Sequence, residues 1–377
     1  MIFKNGLVFT ENGVFEKVDV SVRDGIILKI GENLDLDDEV IDLKGNKLIP
    51  GFIDIHTHGC GGCDFCDGDI KSFETMADTY IKAGVTTALT TSMTLSVDDL
   101  KRTFKVYKEF ADNQSKNGTR IFGINMEGPF LSVEKKGAHI KEYVIPADFN
   151  LFCELNELSG NRVKVVDVAP EIQDNIEFIE KAKNICTVSV AHTNGDYDTC
   201  MKAYEKGATN TTHLFNAMTP LSHRDPGAVG AACDSEAFVE LICDGVHIHP
   251  AVIRTAFKIF GENRICMISD SMCAAGMPEG TYSLGGQDVY VKEGKATLKD
   301  GTIAGSVVNS HIGMKRLLEF GIPEEIALKS ATINPAKAIK IDKLTGSISE
   351  GKWADLLIVD NDYNIKAVYR DGVNQKI

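Results

Sequence analysis

The sequence predicts an α/β protein built on a (β/α)₈ barrel, with a smaller β-rich part made from both ends of the chain. Three observations carry this reading. Between residues 53 and 270, eight short apolar runs alternate with amphipathic stretches, the pattern of parallel strands covered on both faces by helices. The two ends instead alternate apolar and polar residues around Asn-Gly and Asp-Gly dipeptides, which suit tight turns. The length of 377 residues accommodates a barrel of roughly 250 residues plus a smaller domain. A doubly wound open sheet is the competing fold. Eight repeats, with no glycine-rich phosphate loop after the first run, count against it.

In chain order, MIFKNGLVFT, GVFEKVDVSV and GIILKIG read as strands, with hairpin turns expected at Asn5-Gly6, Asn12-Gly13 and Asp24-Gly25. The barrel strands follow as FIDIH, VTTALTTS, RIFGINME, VKVVDVAP, TVSVAH, ATNTTH, AFVELICDG and RICMISD. Among the intervening helices is SFETMADTYIKAGV, in which Phe73, Met76, Ala77, Tyr80 and Ile81 share one face and Gly84 is a stop. IEFIEKAKN and DTCMKAYEKGA are two more. Beyond Asp270, turn signals at Glu293-Gly294 and Asp300-Gly301 predict a β-hairpin insertion near 277–303. Two helical stretches come next, VVNSHIGMKRLLEFG and PEEIALKSATINPAKAIK, with Pro323 near a helix start. ADLLIVDNDYNIKAVYRDG supplies two final strands, with Asp371-Gly372 closing the second.

Composition narrows the function. Hydrophobic residues make up 43% and charged residues 25%, which excludes a disordered, coiled-coil or collagen-like chain. The net charge is 40 − 54 = −14, and an acidic surface repels phosphate backbones, so no nucleic-acid partner is expected. A small phosphorylated metabolite remains compatible, because one local Arg or His can bind it. Ten cysteines are too sparse for a disulfide scaffold, and several sit in apolar runs, which indicates a reducing compartment. The N-terminus lacks a basic segment followed by an apolar core. No apolar run reaches the ~18–20 residues needed to span a bilayer. A cytoplasmic protein with no membrane partner is therefore expected.

In a (β/α)₈ barrel, chemistry sits at the C-terminal ends of the strands. Five of these ends carry metal-ligand residue types: His56 and His58 at the first, Glu127 at the third, His192 at the fifth, His213 at the sixth and Asp270 at the eighth. His56 and His58 are two apart on a strand, so both project to one face. A single histidine near a strand end is more often a hydrogen-bonded core or loop residue. Four histidines and two acids converging on one end of a barrel point to a divalent metal, with Zn, Fe, Mn and Co all suited to imidazole and carboxylate. Cys60, Cys63 and Cys66 form a C-x-x-C-x-x-C run, but Ile70 stands where a bacterial iron–sulfur pattern has its fourth Cys. Free thiols in a glycine-rich loop are the favoured reading, and a thiolate zinc site is the other.

The segment PGFIDIHTHG at 50–59 resembles the first-strand signature of the amidohydrolase superfamily. MEGPF (126–130), KKGAH (135–139), AHTNG (191–195), GATNTTHLFNAM (207–218), HRDPGAVG (223–230), DGVHIHP (244–250) and SDSM (269–272) narrow the resemblance to its N-acetylglucosamine-6-phosphate deacetylases. The match runs in order along essentially the whole chain. It implies a small β-sandwich domain from residues 1–49 plus 348–377, and a catalytic barrel from 50–347. It implies loss of acetate from a sugar phosphate, with one or two divalent metals held by Glu127, His192 and His213 and, because this chain has the His-x-His pair, by His56 and His58. Asp270 is the expected base and acid. Substrate contacts are expected from Ala138, His139, Asn216, Ala217, Arg224, His247, Ile303, Ala304 and Gly305, including backbone N–H groups of Asn216 and Ala217. A homodimer is implied, in which the Arg224 loop can reach a neighbour's pocket. Activity on the galactosamine epimer is the nearest alternative. A non-catalytic scaffold would have lost a ligand or Asp270, and none is lost here.

Overall fold

The structure is a computed structural model that describes residues 1–34 and 39–376. Eight parallel strands lie side by side in chain order: Phe52–Asp54, Val85–Thr91, Arg120–Met126, Val163–Val168, Thr187–Val190, Asn210–Thr211, Phe238–Ile242 and Ile265–Ile268. Each falls within a run read as a strand from the sequence. They are buried almost throughout, because helices cover the outer face and the barrel interior is filled. The first and last strands join just beyond their ends, where Asp270 N–H donates to His56 O (2.9 Å) and His58 N–H to Ser271 O (2.8 Å).

The helix Ile70–Lys82 shows how local sequence sets an element. Asp69 caps it by accepting from Ser72 N–H, and Phe73, Met76, Ala77, Tyr80 and Ile81 form its buried face. Gly84, at φ +73°, turns the chain into the next strand. The stretch from Pro323 is less regular than its pattern implied. It breaks at Thr332 into Glu324–Ala331 and Ile333–Ala338. Pro335 accounts for the break: its ring would clash with the carbonyl of Ala331 in a continuous helix, and it has no N–H to donate there.

Strands from both chain ends form two further sheets. The four-stranded one contains Ile2–Lys4, Asp19–Arg23, Ile26–Gly31 and Val40–Asp42. The six-stranded one contains Leu7–Phe9, Phe15–Glu16, Lys47–Pro50, Leu356–Val359, Ile365–Arg370 and Val373–Gln375. Phe3, Val20 and Ile27 of the first pack with Val8, Leu48, Leu356 and Tyr369 of the second in one core. Asp24-Gly25 makes the expected two-residue hairpin, with Arg23 opposite Ile26. Asn5-Gly6 does not. Ile2–Lys4 and Leu7–Phe9 lie in different sheets, so these residues carry the chain from one layer to the other, with Asn5 at φ +62°. Arg120 ties the barrel to these sheets through Asp355 (2.7 Å) and Asp371.

The insertion is a three-stranded antiparallel sheet, Gly280–Leu284, Gln287–Lys292 and Lys295–Thr297. Its apolar residues Leu284, Val289, Val291 and Ala296 pack on Met93, Ala138, Met272 and Ala304, which places it over the C-terminal end of the barrel. No helix among the described residues is long and apolar enough to cross a membrane.

Candidate active site

The strand ends bring His56, His58, Glu127, His192, His213 and Asp270 together, all buried. Two trios of ligating atoms form, His56–His58–Glu127 and Glu127–His192–His213, and Glu127 belongs to both. Glu127 Oε1 lies 3.0 Å from the Nε2 atoms of both His192 and His213, which are themselves 3.0 Å apart. Its Oε2 is 3.3 Å from His58 Nε2. Asp270 Oδ1 stands 3.2 Å from His58 Nε2 and 3.6 Å from His56 Nε2.

The surrounding hydrogen bonds decide what this cluster can hold. His192 Nδ1–H donates to the carbonyl of Lys135 (2.7 Å), and His58 Nδ1–H to that of Thr91 (3.3 Å). A carbonyl only accepts, so Nδ1 of each ring carries a proton and Nε2 is the atom turned to the cluster. His56 Nε2 is buried without a hydrogen-bond partner. Imidazole Nε2 atoms and carboxylate oxygens therefore converge, an arrangement that suits positive charge at its centre, whether a metal ion or protons on the rings. Positive charge is strongly favoured there. Burial alone would keep the His58 imidazole neutral, yet hydrogen bonds to Asp270 and Glu127 raise its pKa to about 10. Burial likewise disfavours charge on Glu127 and Asp270, but the imidazoles outweigh it, holding Glu127 well below its usual range and Asp270 at about 2.

Backbone strain is concentrated here. His192, His213 and Asp270 adopt φ of +43°, +27° and +47°, and Phe215 and Ala217 adopt +77° and +50°. Non-glycine residues in this region cost on the order of 1–3 kcal/mol each and persist where surrounding structure over-determines them. At His192, His213 and Asp270 the chain has just left its strand and the side chain is turned into the mouth.

The site opens into a cavity of about 410 Å³. Of the residues expected to touch substrate, Ala138, His139, Asn216, Ala217, His247, Ile303 and Gly305 line it. Ala304 is fully buried behind the lining, its N–H donating to Ala296 O. Arg224 is exposed on the loop before the helix Gly227–Asp234 and is not among the lining residues. The Asn216 N–H was expected to face the ligand, but it donates to His213 O (3.0 Å) in the tight turn that follows that histidine. His139 accepts from Thr94 N–H at Nδ1 (3.1 Å), which leaves its proton on Nε2, and burial lowers its pKa to about 4. It is a neutral donor, 3.4 Å from Glu127 Oε2. Asp244 accepts from His247 Nδ1 (2.7 Å), and against the effect of burial this holds the ring's pKa above its ordinary value.

Several neighbours carried no recognisable signal in the sequence. Met93, Glu134, Leu284 and Thr302 also line the cavity, and Glu240 contacts His56 Nδ1 at 2.9 Å. Cys60, Cys63 and Cys66 are free thiols. Cys66 Sγ accepts from Met93 N–H (3.3 Å), and burial pushes the Cys60 and Cys66 thiols up. Neither candidate metal trio among the described residues contains a cysteine.

Residues 48–374 match the amidohydrolase family. The chain is 34% identical over 373 residues to an N-acetylglucosamine-6-phosphate deacetylase of Bacillus subtilis, covering 97% of this chain and 94% of that protein. It is 30% identical over 369 residues to an N-acetylgalactosamine-6-phosphate deacetylase of Escherichia coli O157:H7, covering 97% and 96%. The crystal structure of N-acetylglucosamine-6-phosphate deacetylase from Pasteurella multocida superposes with a TM-score of 0.94 at 34% identity, over 100% of this chain and 99% of that one.

Proposed function

The chain belongs to the amidohydrolase family, and within it we propose that it hydrolyses the acetamide of N-acetyl-D-glucosamine 6-phosphate to D-glucosamine 6-phosphate and acetate. The observation that carries this reading is the pair of ligand trios sharing Glu127, with Asp270 beside them at the floor of a sugar-sized cavity. Relatives bearing that activity match over nearly the full length.

Glu127, His192 and His213 would hold one divalent cation (Zn, Fe, Mn or Co), and His56 and His58 with the shared Glu127 a second. Such a cation, when bound, acidifies water and polarises a carbonyl oxygen. The rest falls to the chain. Asp270, its Oδ1 3.2 Å from His58 Nε2, takes the proton of the attacking water as its oxygen bonds to the acetamide carbon. It then delivers that proton to the amine nitrogen as the carbon–nitrogen bond breaks, so atoms and charge balance. Neutral His139 is the Nε2–H donor available to the acetamide oxygen. At the far side, His247 and the Ala217 backbone face the rest of the sugar phosphate, with Asn216, Ile303 and Gly305 shaping the wall.

Arg224 is too exposed to serve its own cavity, and a homodimer in which it reaches the partner's phosphate fits its position. The reading includes a cytoplasmic enzyme in which residues 1–49 and 348–377 brace a catalytic barrel of 50–347. The galactosamine relative favours the epimer as the second reading. Acetate release from the two phosphorylated epimers and from unphosphorylated N-acetylglucosamine, with metal content per chain, tests all of this. The proposal fails if the metal-loaded protein releases no acetate from the glucosamine substrate, or releases it faster from the galactosamine epimer.

A further inference from the structure

Barrel interiors are usually filled by aliphatic side chains. Beneath His56 this one is not. Glu240, in the middle of the strand Phe238–Ile242, is completely buried. Its Oε1 accepts from Asn210 Nδ2 (2.8 Å). Its Oε2 lies 2.9 Å from His56 Nδ1 and 3.4 Å from the backbone N–H of His213. Asn210 Nδ2 and the His213 N–H are donors, one to each oxygen, so Glu240 meets these neighbours as an acceptor.

The consequence falls on the His56 ring. An acceptor at 2.9 Å puts the ring proton on Nδ1. Asn125 Nδ2 lies 3.4 Å from the same nitrogen but has a nearer acceptor in Ile55 O at 3.1 Å. His56 Nε2 then carries a lone pair, buried and unpartnered, 3.6 Å from both Glu127 Oε1 and Asp270 Oδ1. We propose that Glu240 is a positioning residue: through its contact with His56 Nδ1 it fixes the ring's tautomer and direction, and so determines whether the His56–His58–Glu127 trio holds a cation. This rests on the ligand assignment above. The Glu127–His192–His213 trio depends on it less, because Lys135 O orients His192 and Glu240 meets His213 only at its backbone N–H, 3.4 Å away.

Glu240→Gln is the discriminating change, because it keeps size and reverses one contact. Asn210 Nδ2 requires an oxygen opposite it, so the new amide nitrogen must face His56 Nδ1. It then donates where the carboxylate accepted, driving the ring proton to Nε2 and blocking the lone pair. Loss of such an outer contact typically weakens metal affinity 10–100-fold. The probe is zinc, titrated into metal-free protein by calorimetry and counted per chain after dialysis. Wild-type protein is expected to hold two zinc ions. Glu240→Gln should hold one tightly and the second 10–100-fold more weakly, with an unshifted melting temperature in the metal-free form. Two ions bound with unchanged affinity in the variant would overturn the inference and leave the ligand assignment standing. Wild-type protein saturating at one ion would overturn the ligand assignment and the inference with it. A second measurement does not depend on the variant folding: long-range ¹H–¹⁵N spectra of histidine-labelled, zinc-loaded wild type, with the His56 signal identified by its loss in His56→Gln. An Nδ1–H tautomer is expected, and an Nε2–H tautomer would overturn the inference.

Discussion

Replacing Asp270 with Asn separates its chemical role from its structural one. The residue sits at φ +47°, which Asn tolerates nearly as well as Asp. Ala would add a backbone cost and confuse the result. Asn also keeps an oxygen that can lie near His58 Nε2, now 3.2 Å from the carboxylate. What disappears is the ability to accept a proton and return it. Removing a general acid–base group costs 10²–10⁴-fold, or about 2.7–5.5 kcal/mol of barrier at 1.36 kcal/mol per decade. The whole loss should fall on kcat, with substrate KM changed little, if Asp270 acts as proposed on the reacting atoms and not on the phosphate. Acetate release should be measured at saturating substrate, on protein whose metal content matches wild type. A metal-loaded Asp270→Asn protein within threefold of the wild-type kcat would refute the assignment. Equal loss of metal and activity would move Asp270 from base to ligand.

The remaining predictions concern metal, phosphate and stability. His192→Ala should strip the cation held with Glu127 and His213, whereas His56→Ala should cost only the second; metal counts per chain decide, and the reverse pattern would overturn the division of ligands. Arg224→Ala should lower kcat/KM for the phosphorylated sugar about ten- to a hundredfold, since a charge-assisted hydrogen bond is worth ~1.5–3 kcal/mol, and leave the unphosphorylated sugar nearly unchanged. Equal losses on both sugars would mean that Arg224 supports the fold. Arg120→Ala should destabilise the protein by about 3–5 kcal/mol in urea unfolding, because it strands the buried Asp355 carboxylate now 2.7 Å from the guanidinium. An unchanged urea midpoint would show that the joint between barrel and terminal sheets carries no stability.

Sequence and structure agree most closely where chemistry and periodicity coincide. His56, His58, Glu127, His192, His213 and Asp270 were legible because each is a ligand type at the end of an apolar run, and strand ends converge in a barrel. Glu240 was not. It sits inside the strand FVELI, where one acid in an apolar run says nothing until the first strand closes over it. The Lys135 carbonyl that orients His192 is a backbone atom, invisible to residue type. Asn5-Gly6 misled for the opposite reason: the dipeptide allows a positive φ, but whether the chain then folds back or crosses to another sheet is set by distant partners, Val40–Asp42 and Lys47–Pro50. The Asn216 N–H looked free because the turn that uses it forms only after His213 adopts its own left-handed conformation.

The seam between the first and last barrel strands lies at the site itself. Backbone bonds cross it from Asp270 to His56 and from His58 and Gly59 to Ser271, helped by hydroxyl contacts of Thr57 and Ser271. Any breathing of the barrel along this seam pulls His56 and His58 away from Asp270. A cation held by His56 and His58 would draw the Asp270 carboxylate, 3.2 Å from His58 Nε2, toward the first strand and act as a clasp, since whatever binds only the closed form shifts the equilibrium toward it. Cofactor loading and the wholeness of the barrel are then one thermodynamic quantity. Amide exchange at His58 and Asp270 becomes a gauge of occupancy, and chelation is a way to unbutton the fold at a known place.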